Sequence, residues 1–171
     1  KLNKKKDIRF SHFKKIINLL KKIQSIKNRK IKNFKNKNYT IPKYDKKILI
    51  NEANLFCDWY LKKNPPKLTK GKFSKEFKKI IKRLTLNLKL KNNFFVHRDF
   101  HVSNLMLVNK KIGVIDSQDA LIGNRAYDLA SLIDDVRLKT SKSFKNKIYK
   151  LYINKKKNLK IYLYMMRLIR F

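Results

Sequence analysis

Apolar residues recur at three- and four-residue spacing in several stretches of the chain. Phe13, Ile16, Ile17, Leu20 and Ile23 form one such stripe and predict an amphipathic helix over residues 11–27, followed by a polar Asn/Lys loop. Ile48, Leu49, Ala53, Phe56, Trp59 and Tyr60 predict a second helix over 45–63. Asn64-Pro65-Pro66 should end it, because proline lacks the N–H donor and fixes φ. A third helix is predicted by Phe73, Phe77, Ile80, Ile81, Leu84 and Leu88. The period then changes. Residues 94–97, 105–108 and 111–116 are β-prone, and Asn109-Lys110 is the predicted turn of a hairpin between the last two runs. Helical spacing returns over 126–137, with Leu129, Leu132, Ile133 and Val136 inward, and again over 144–153 and 158–170. The expected fold is α+β and mostly helical, in one domain, since no internal repeat or low-complexity linker divides the chain.

Composition adds a core and a puzzle. With 171 residues, 43% of them hydrophobic, the chain can bury a core. Its 46 Lys+Arg against 11 Asp+Glu give +35, a balance that by itself suggests a polyanion partner. Yet 38 of the cations are Lys, and the chain is rich in Ile and Asn but holds only three Gly and three Pro, the residue usage of an AT-rich genome at tolerant positions. Much of the charge is therefore read as codon drift, and contact with nucleic acid as non-specific only. Cys57 is the only cysteine, so no internal disulfide can form, and no paired Cys/His spacing suggests structural zinc; a reducing cytoplasm is the expected compartment. Apolar stretches fall well short of the ~20 residues a membrane span needs, so no membrane partner is expected. The first residue is Lys1 rather than Met, which suggests a piece of a longer protein.

The charge is unevenly placed. Residues 94–135 hold four cations (Arg98, Lys110, Lys111, Arg125) and six acids (Asp99, Asp116, Asp119, Asp128, Asp134, Asp135), leaving 42 cations and five acids elsewhere. A stretch that excludes Lys from a Lys-rich chain is under physical constraint, and burial alone would not select Asp. If the hairpin turn centres on Lys110, residues whose numbers sum to 220 face each other, which sets Asn104 opposite Asp116 at the open end. Two hard oxygen donors of this kind can hold Mg²⁺, which fills its other positions with water and nucleotide phosphate. Asp99, in the preceding loop, is the carboxylate that could reach a substrate hydroxyl. A base and two metal ligands suit phosphoryl transfer to an alcohol.

Three motifs in order carry a resemblance. The run His97-Arg98-Asp99-Phe100-His101-Val102-Ser103-Asn104-Leu105-Met106, then Ile115-Asp116-Ser117-Gln118-Asp119-Ala120, then Tyr127-Asp128-Leu129-Ala130-Ser131-Leu132 resembles the aminoglycoside phosphotransferase and choline kinase superfamily, whose fold is protein-kinase-like. Within it the likeness is nearest to bacterial kinases of the anomeric hydroxyl of N-acetylmuramate and N-acetylglucosamine, and residues 52–60 look like a helix signature of that subgroup.

The resemblance implies ATP and Mg²⁺ as cofactors, Asp99 as catalytic base, and Asn104 and Asp116 as metal ligands. It implies that Asp128 braces the catalytic loop and that His97 packs and hydrogen-bonds. His101, Asp119, Glu52 and Asp58 are candidates for substrate contact or for support of the site. Ser117 departs from the Phe often found after the metal-binding Asp, which touches packing alone. Trp59 is expected in core or hinge packing, and Asp134 and Asp135 as solvated helix residues. The larger departure is that residues before 94 show one glycine, Gly71, and no strand series that would make a β-rich nucleotide-covering lobe. The expectation is a kinase-like C-terminal lobe over 1–171, with a β-hairpin carrying the metal ligands, the N-terminal lobe missing and the C-terminal end incomplete. The partners would be ATP, a small-molecule acceptor and that lobe.

Two other readings compete. His97, Asp99 and His101 alternate and could bind Zn²⁺ or Fe²⁺ on an extended strand, but that leaves Asn104, Asp116 and Asp128 unexplained. A basic nucleic-acid-binding protein would concentrate its cations in one stripe, whereas here they spread over every predicted helix.

Overall fold

The computed structural model describes residues 2–63, 70–87, 93–135, 137–138 and 140–153. The predicted helix at 158–170, the Asn64-Pro65-Pro66 stop, Leu88 and Val136 lie outside them. Helix α1 (Leu2–Gln24) begins earlier than its apolar stripe, in a Lys-rich stretch, and Lys is a good helix former. Where a plain loop was expected, β1 (Lys30–Lys32) and β2 (Asn38–Thr40) form a small antiparallel ribbon. Every residue of it is exposed, and each strand has only three residues, too short a run for its alternation to stand out in the sequence.

The second predicted helix is interrupted. Asp45 caps α2 (Lys46–Leu55) by accepting the Ile48 N–H at 2.8 Å, and the helix widens into a π turn at Phe56–Tyr60 before α3 (Leu61–Lys63). Phe56 packs on Phe77 of α4 (Lys70–Asn87), with ring centroids 5.3 Å apart. Trp59 is 64% exposed, contrary to the expected core or hinge packing.

Strand β3 (Phe94–Val96) was predicted; its partner β6 (Leu121–Gly123) was not. Backbone hydrogen bonds from Tyr44 to Ile122 and from Ile122 to Pro42 lay a third segment along the other edge of β6. Gly123 allows the close approach there: an added Cβ would lie 3.1 Å from Val96 and 3.2 Å from Tyr44, so those side chains would have to shift by a few tenths of an ångström. Tyr44, Leu49 and Leu121 pack together with Ile48 and Tyr127, joining α2 to this ribbon.

The main core lies between α1, α5 (Ala126–Ile133) and α6 (Lys142–Ile153). Ile17, Leu20, Leu132 and Ile148 are fully buried in it. Phe100, from the loop after β3, inserts its ring into the same core and is likewise fully buried, so that loop is pinned by the hydrophobic effect as well as by hydrogen bonds. Gln24, Arg125 and Tyr152 close one end: Gln24 donates to the Arg125 carbonyl at 2.7 Å and accepts from the Tyr152 hydroxyl. Helix α5 ends at Ile133 rather than at 137, and this changes the role of the two acids that follow.

Candidate active site

Strands β4 (Leu105–Val108) and β5 (Lys111–Val114) form the predicted hairpin, but its register differs by one. Asn109 and Lys110 both take positive φ, 49° and 62°, so the turn has two residues and its centre falls between them. Facing residues therefore sum to 219, as in Leu105↔Val114, and Asn104 lies across from Ile115, whose N–H donates to the Asn104 carbonyl at 3.1 Å. Asp116 is one residue past that pair. It adopts φ 70°, a left-handed turn that carries its side chain back toward the hairpin mouth. The Asn104 amide nitrogen then comes within 3.5 Å of an Asp116 carboxylate oxygen. The two side chains meet, through a backbone turn rather than through strand register.

Asn104 is buried at the end of a 3₁₀ turn (Val102–Asn104) that the hydrophobic pattern did not reveal. Its Nδ2 donates to the Asp99 carbonyl at 3.0 Å, and the same Nδ2 is the atom that approaches the Asp116 carboxylate. That Asp99 carbonyl also accepts the His101 N–H at 3.0 Å, and the Asn104 N–H donates to the His101 carbonyl. Asp99 is thus held by its backbone in a closed loop. Its carboxylate is partly exposed, and among the described residues no hydrogen bond reaches it. The Gln118 amide donates to Asp116 from the solvent side.

Asp128 is completely buried on α5 and accepts the His97 N–H at 2.9 Å and the Arg98 N–H at 3.0 Å. Arg98 takes φ 73°, a left-handed turn that aims both N–H groups at one carboxylate. Burial pushes the Asp128 carboxyl up to about 7, while the two N–H donors pull the other way. His97 is also buried, its ring edge-on to Phe100, and desolvation lowers its pKa and keeps the imidazole neutral. The nearby Asp99 and Asp116 oppose that shift without overcoming it.

Glu52 is engaged structurally: the Arg98 guanidinium donates to it at 2.5 Å and the Tyr44 hydroxyl donates to it as well. Asp58 is half exposed on the π turn and pairs with Lys78 at 3.3 Å. Asp119 is exposed in the loop after Asp116, and His101 is partly buried beside Asp99. Asn104, Asp116 and Asp99 are brought together; Asp58 belongs to the α2–α4 surface.

Asp134 and Asp135 are not solvated helix residues. Asp134 accepts from Lys145 at 2.5 Å and from the Tyr149 hydroxyl at 3.2 Å, tying α5 to α6. Asp135 is 3% exposed and accepts the Val102 N–H at 3.3 Å and the Arg137 N–H at 3.0 Å. Burial alone would raise its carboxyl, but these donors and the Arg137 guanidinium hold it below the usual carboxylate range. One signal in the sequence pointed here: Asp135 stands seven residues after Asp128, two helical turns, which repeats the inward position.

Among the described residues no three His, Cys, Asp or Glu side chains converge on a metal position, which removes the arrangement that a zinc or iron site from His97, Asp99 and His101 requires. One amide and one carboxylate side chain are the hard, sparse donor set that suits Mg²⁺ shared with phosphate, and Asn104 and Asp116 lie side by side, with the amide turned here to donate Nδ2 to Asp116. No described helix is long and apolar enough to cross a membrane.

A clamped acidic loop at the mouth of a two-stranded hairpin, set on a bed of helices, defines the class. The model of the phosphotransferase enzyme family matches residues 4–156, and the chain belongs to that family. It is 36% identical over 104 residues to the N-acetylmuramate/N-acetylglucosamine kinase of Neisseria meningitidis serogroup B, a match covering 61% of this chain and 31% of that protein. The protein of the same name from Pseudomonas aeruginosa is 38% identical over 95 residues, 56% of this chain and 28% of the relative. In Pseudomonas putida the corresponding figure is 30% over 95 residues. The matched stretch thus spans under a third of these relatives' length.

Proposed function

We propose that this chain is the acceptor-side lobe of an ATP-dependent kinase that phosphorylates a hydroxyl of an amino sugar, N-acetylmuramate or N-acetylglucosamine, in cell-wall recycling. The observation that carries the reading is the approach of Asn104 to Asp116 within 3.5 Å while the same Asn104 amide holds the Asp99 backbone. The relatives' names support the amino sugar over an aminoglycoside or a choline-type alcohol.

Asp99 accepts the hydrogen bond of the substrate hydroxyl and takes its proton as the oxygen attacks the terminal phosphorus; the P–O bond to ADP breaks and ADP leaves. Asn104 fixes the Asp99 carbonyl, so the carboxylate meets the hydroxyl already oriented. Asn104 Oδ1 and the Asp116 carboxylate would hold Mg²⁺, which when bound neutralises phosphate charge. Asp128 keeps the backbone before Asp99 from relaxing.

Nucleotide covering falls to a β-rich lobe that precedes this chain in the complete protein, and the 171 residues alone bind ATP poorly. The test is ATP-dependent phosphorylation of N-acetylmuramate by the complete protein, with Asp99→Asn as control. Product that persists in Asp99→Asn, or no product from any of these acceptors, overturns the reading. Robust turnover by the 171-residue chain alone would overturn the division into lobes.

A further inference from the structure

The loop from 97 to 104 is held at two places by one helix. Asp128 takes the N–H groups at its start, and Asp135, just past the end of α5, takes the Val102 N–H near its end. One carboxylate on α5 and one just past its end therefore bracket the turn that carries Asp99, with Asp99 between their two attachment points.

We propose that Asp135 is a positioning residue for the phosphotransfer proposed above: it fixes the 3₁₀ turn that delivers Asn104 to Asp116, as Asp128 fixes the approach to Asp99. The inference rests on that functional reading. Its two oxygens divide the work, Oδ2 accepting from Val102 and Oδ1 from the Arg137 N–H and guanidinium. The side chain is fully screened from solvent and partnered on both oxygens, so it cannot itself meet a substrate. If the Val102 bond is lost, its N–H is left without that acceptor at the first residue of the turn, and the turn ending in Asn104 loosens. Asn104 then drifts from both Asp99 and Asp116. Such a loss falls on the geometry of the reacting groups rather than on substrate binding.

Asp135→Asn fills the same volume but places an NH₂ against a donor in either amide orientation. In the complete protein it should lower kcat about tenfold, with KM for ATP and for the sugar within about twofold of wild type. Amide exchange at Val102 and Asn104 should accelerate about tenfold, while α1 and α6 amides keep their protection. Arg137→Ala removes the guanidinium and leaves the Val102 bond, so its kcat should stay within about twofold of wild type. Equal losses of kcat in both variants would overturn the proposal, because the ion pair and not the loop contact would then matter. Uniform loss of protection with unchanged kcat per folded molecule would also overturn it. Should wild type phosphorylate none of the acceptors, the functional reading fails separately. Val102 exchange that matched wild type in Asp135→Leu, which offers no acceptor in any rotamer, would sink the clamp by itself.

Discussion

Helices α4 and α5 were equally visible as apolar stripes, yet the molecule treats them differently. Of the eight residues of α5, seven are buried, among them Asp128 and Ser131. Helix α4 leaves Phe73, Ile80 and Leu86 between 43% and 62% exposed, and of its described side chains Ile81 and Thr85 are buried. A helix covered on nearly every side admits Lys nowhere, because burying an unpaired ammonium costs far more than any helix propensity returns. A helix with one covered face admits it at every other position. The Lys-poor stretch from 94 to 135 holds that covered helix and three acids with assigned partners, Asp128, Asp134 and Asp135, and its six acids stand out against the Lys-rich remainder.

The sharpest way to break this contrast is at Asp99. Asp99→Asn keeps shape and hydrogen bonding but cannot take a proton, and it should lower kcat about a thousandfold, about 4 kcal/mol of transition-state stabilisation. Thermal midpoint should barely move, since among the described residues nothing donates to that carboxylate. An active, equally stable Asp99→Asn would dissolve the distinction between a constrained site and a constrained core.

The next effect compares one substitution in two places. Leu132→Ala empties a fully buried position in α5 and should cost about 3 kcal/mol by urea denaturation. Leu86→Ala in α4, where the residue is 62% exposed, should cost below about 0.5 kcal/mol. Equal losses would mean that α4 is covered in solution by something that restores its burial.

A third test separates the two carboxylates that hold the acidic loop. The folded protein raises Asp128 from 3.8 to about 7, so it keeps a proton that the unfolded chain releases. The stability this supplies is complete below the unfolded value and is lost as pH rises through about 7. The advantage of wild type over Asp128→Asn should shrink steadily as pH rises between about pH 5 and 7, read from denaturation midpoints. Asp135 is lowered instead, so its contribution is present above the ordinary carboxylate range and is lost as pH falls below it. Asp135→Asn should therefore cost more at pH 6 than at pH 3, the opposite sense.

These same residues show why the sequence disclosed some features and hid others. Helices with a one-sided apolar stripe were legible, as were the hairpin and the acids around it, because period and residue type encode them directly. The pairing of β3 with β6 was not, since three-residue strands with 24 residues between them leave no local period. The convergence of Asn104 and Asp116 was anticipated from a register that does not exist; a left-handed residue at Asp116 restores it, and backbone handedness at a non-glycine residue has no pattern in sequence. Asp135 was missed because a carboxylate at a helix end reads as solvated until the loop that covers it is known. Trp59 misled in the other direction, since a large apolar residue in phase with a stripe is counted as core although the π turn rotates the helix beneath it.

The smallest expected effect tests the surface. Lys15 and Lys22 on α1 and Lys75, Lys79 and Lys82 on α4 are exposed, and among the described residues none pairs with a carboxylate. Converting all five to Gln removes five charges from a total of +35 and should shift stability by no more than about 0.5 kcal/mol per site, with phosphotransfer unchanged. Relief of repulsion between like charges would make the sum slightly favourable, and more so at low salt, where the Debye length exceeds the spacing of neighbouring lysines. Nucleic-acid affinity is the measurement that decides what the charge is for. If it is drift, binding is weak, independent of sequence and lost by about 0.3 M salt, and each substitution trims the salt slope by under one unit. If these helices form a nucleic-acid surface, the five substitutions remove several units of slope together and abolish a sequence preference that high salt does not erase. The Lys-rich helices would then be as constrained as the acidic loop, and the two regions would differ in ligand instead of in tolerance.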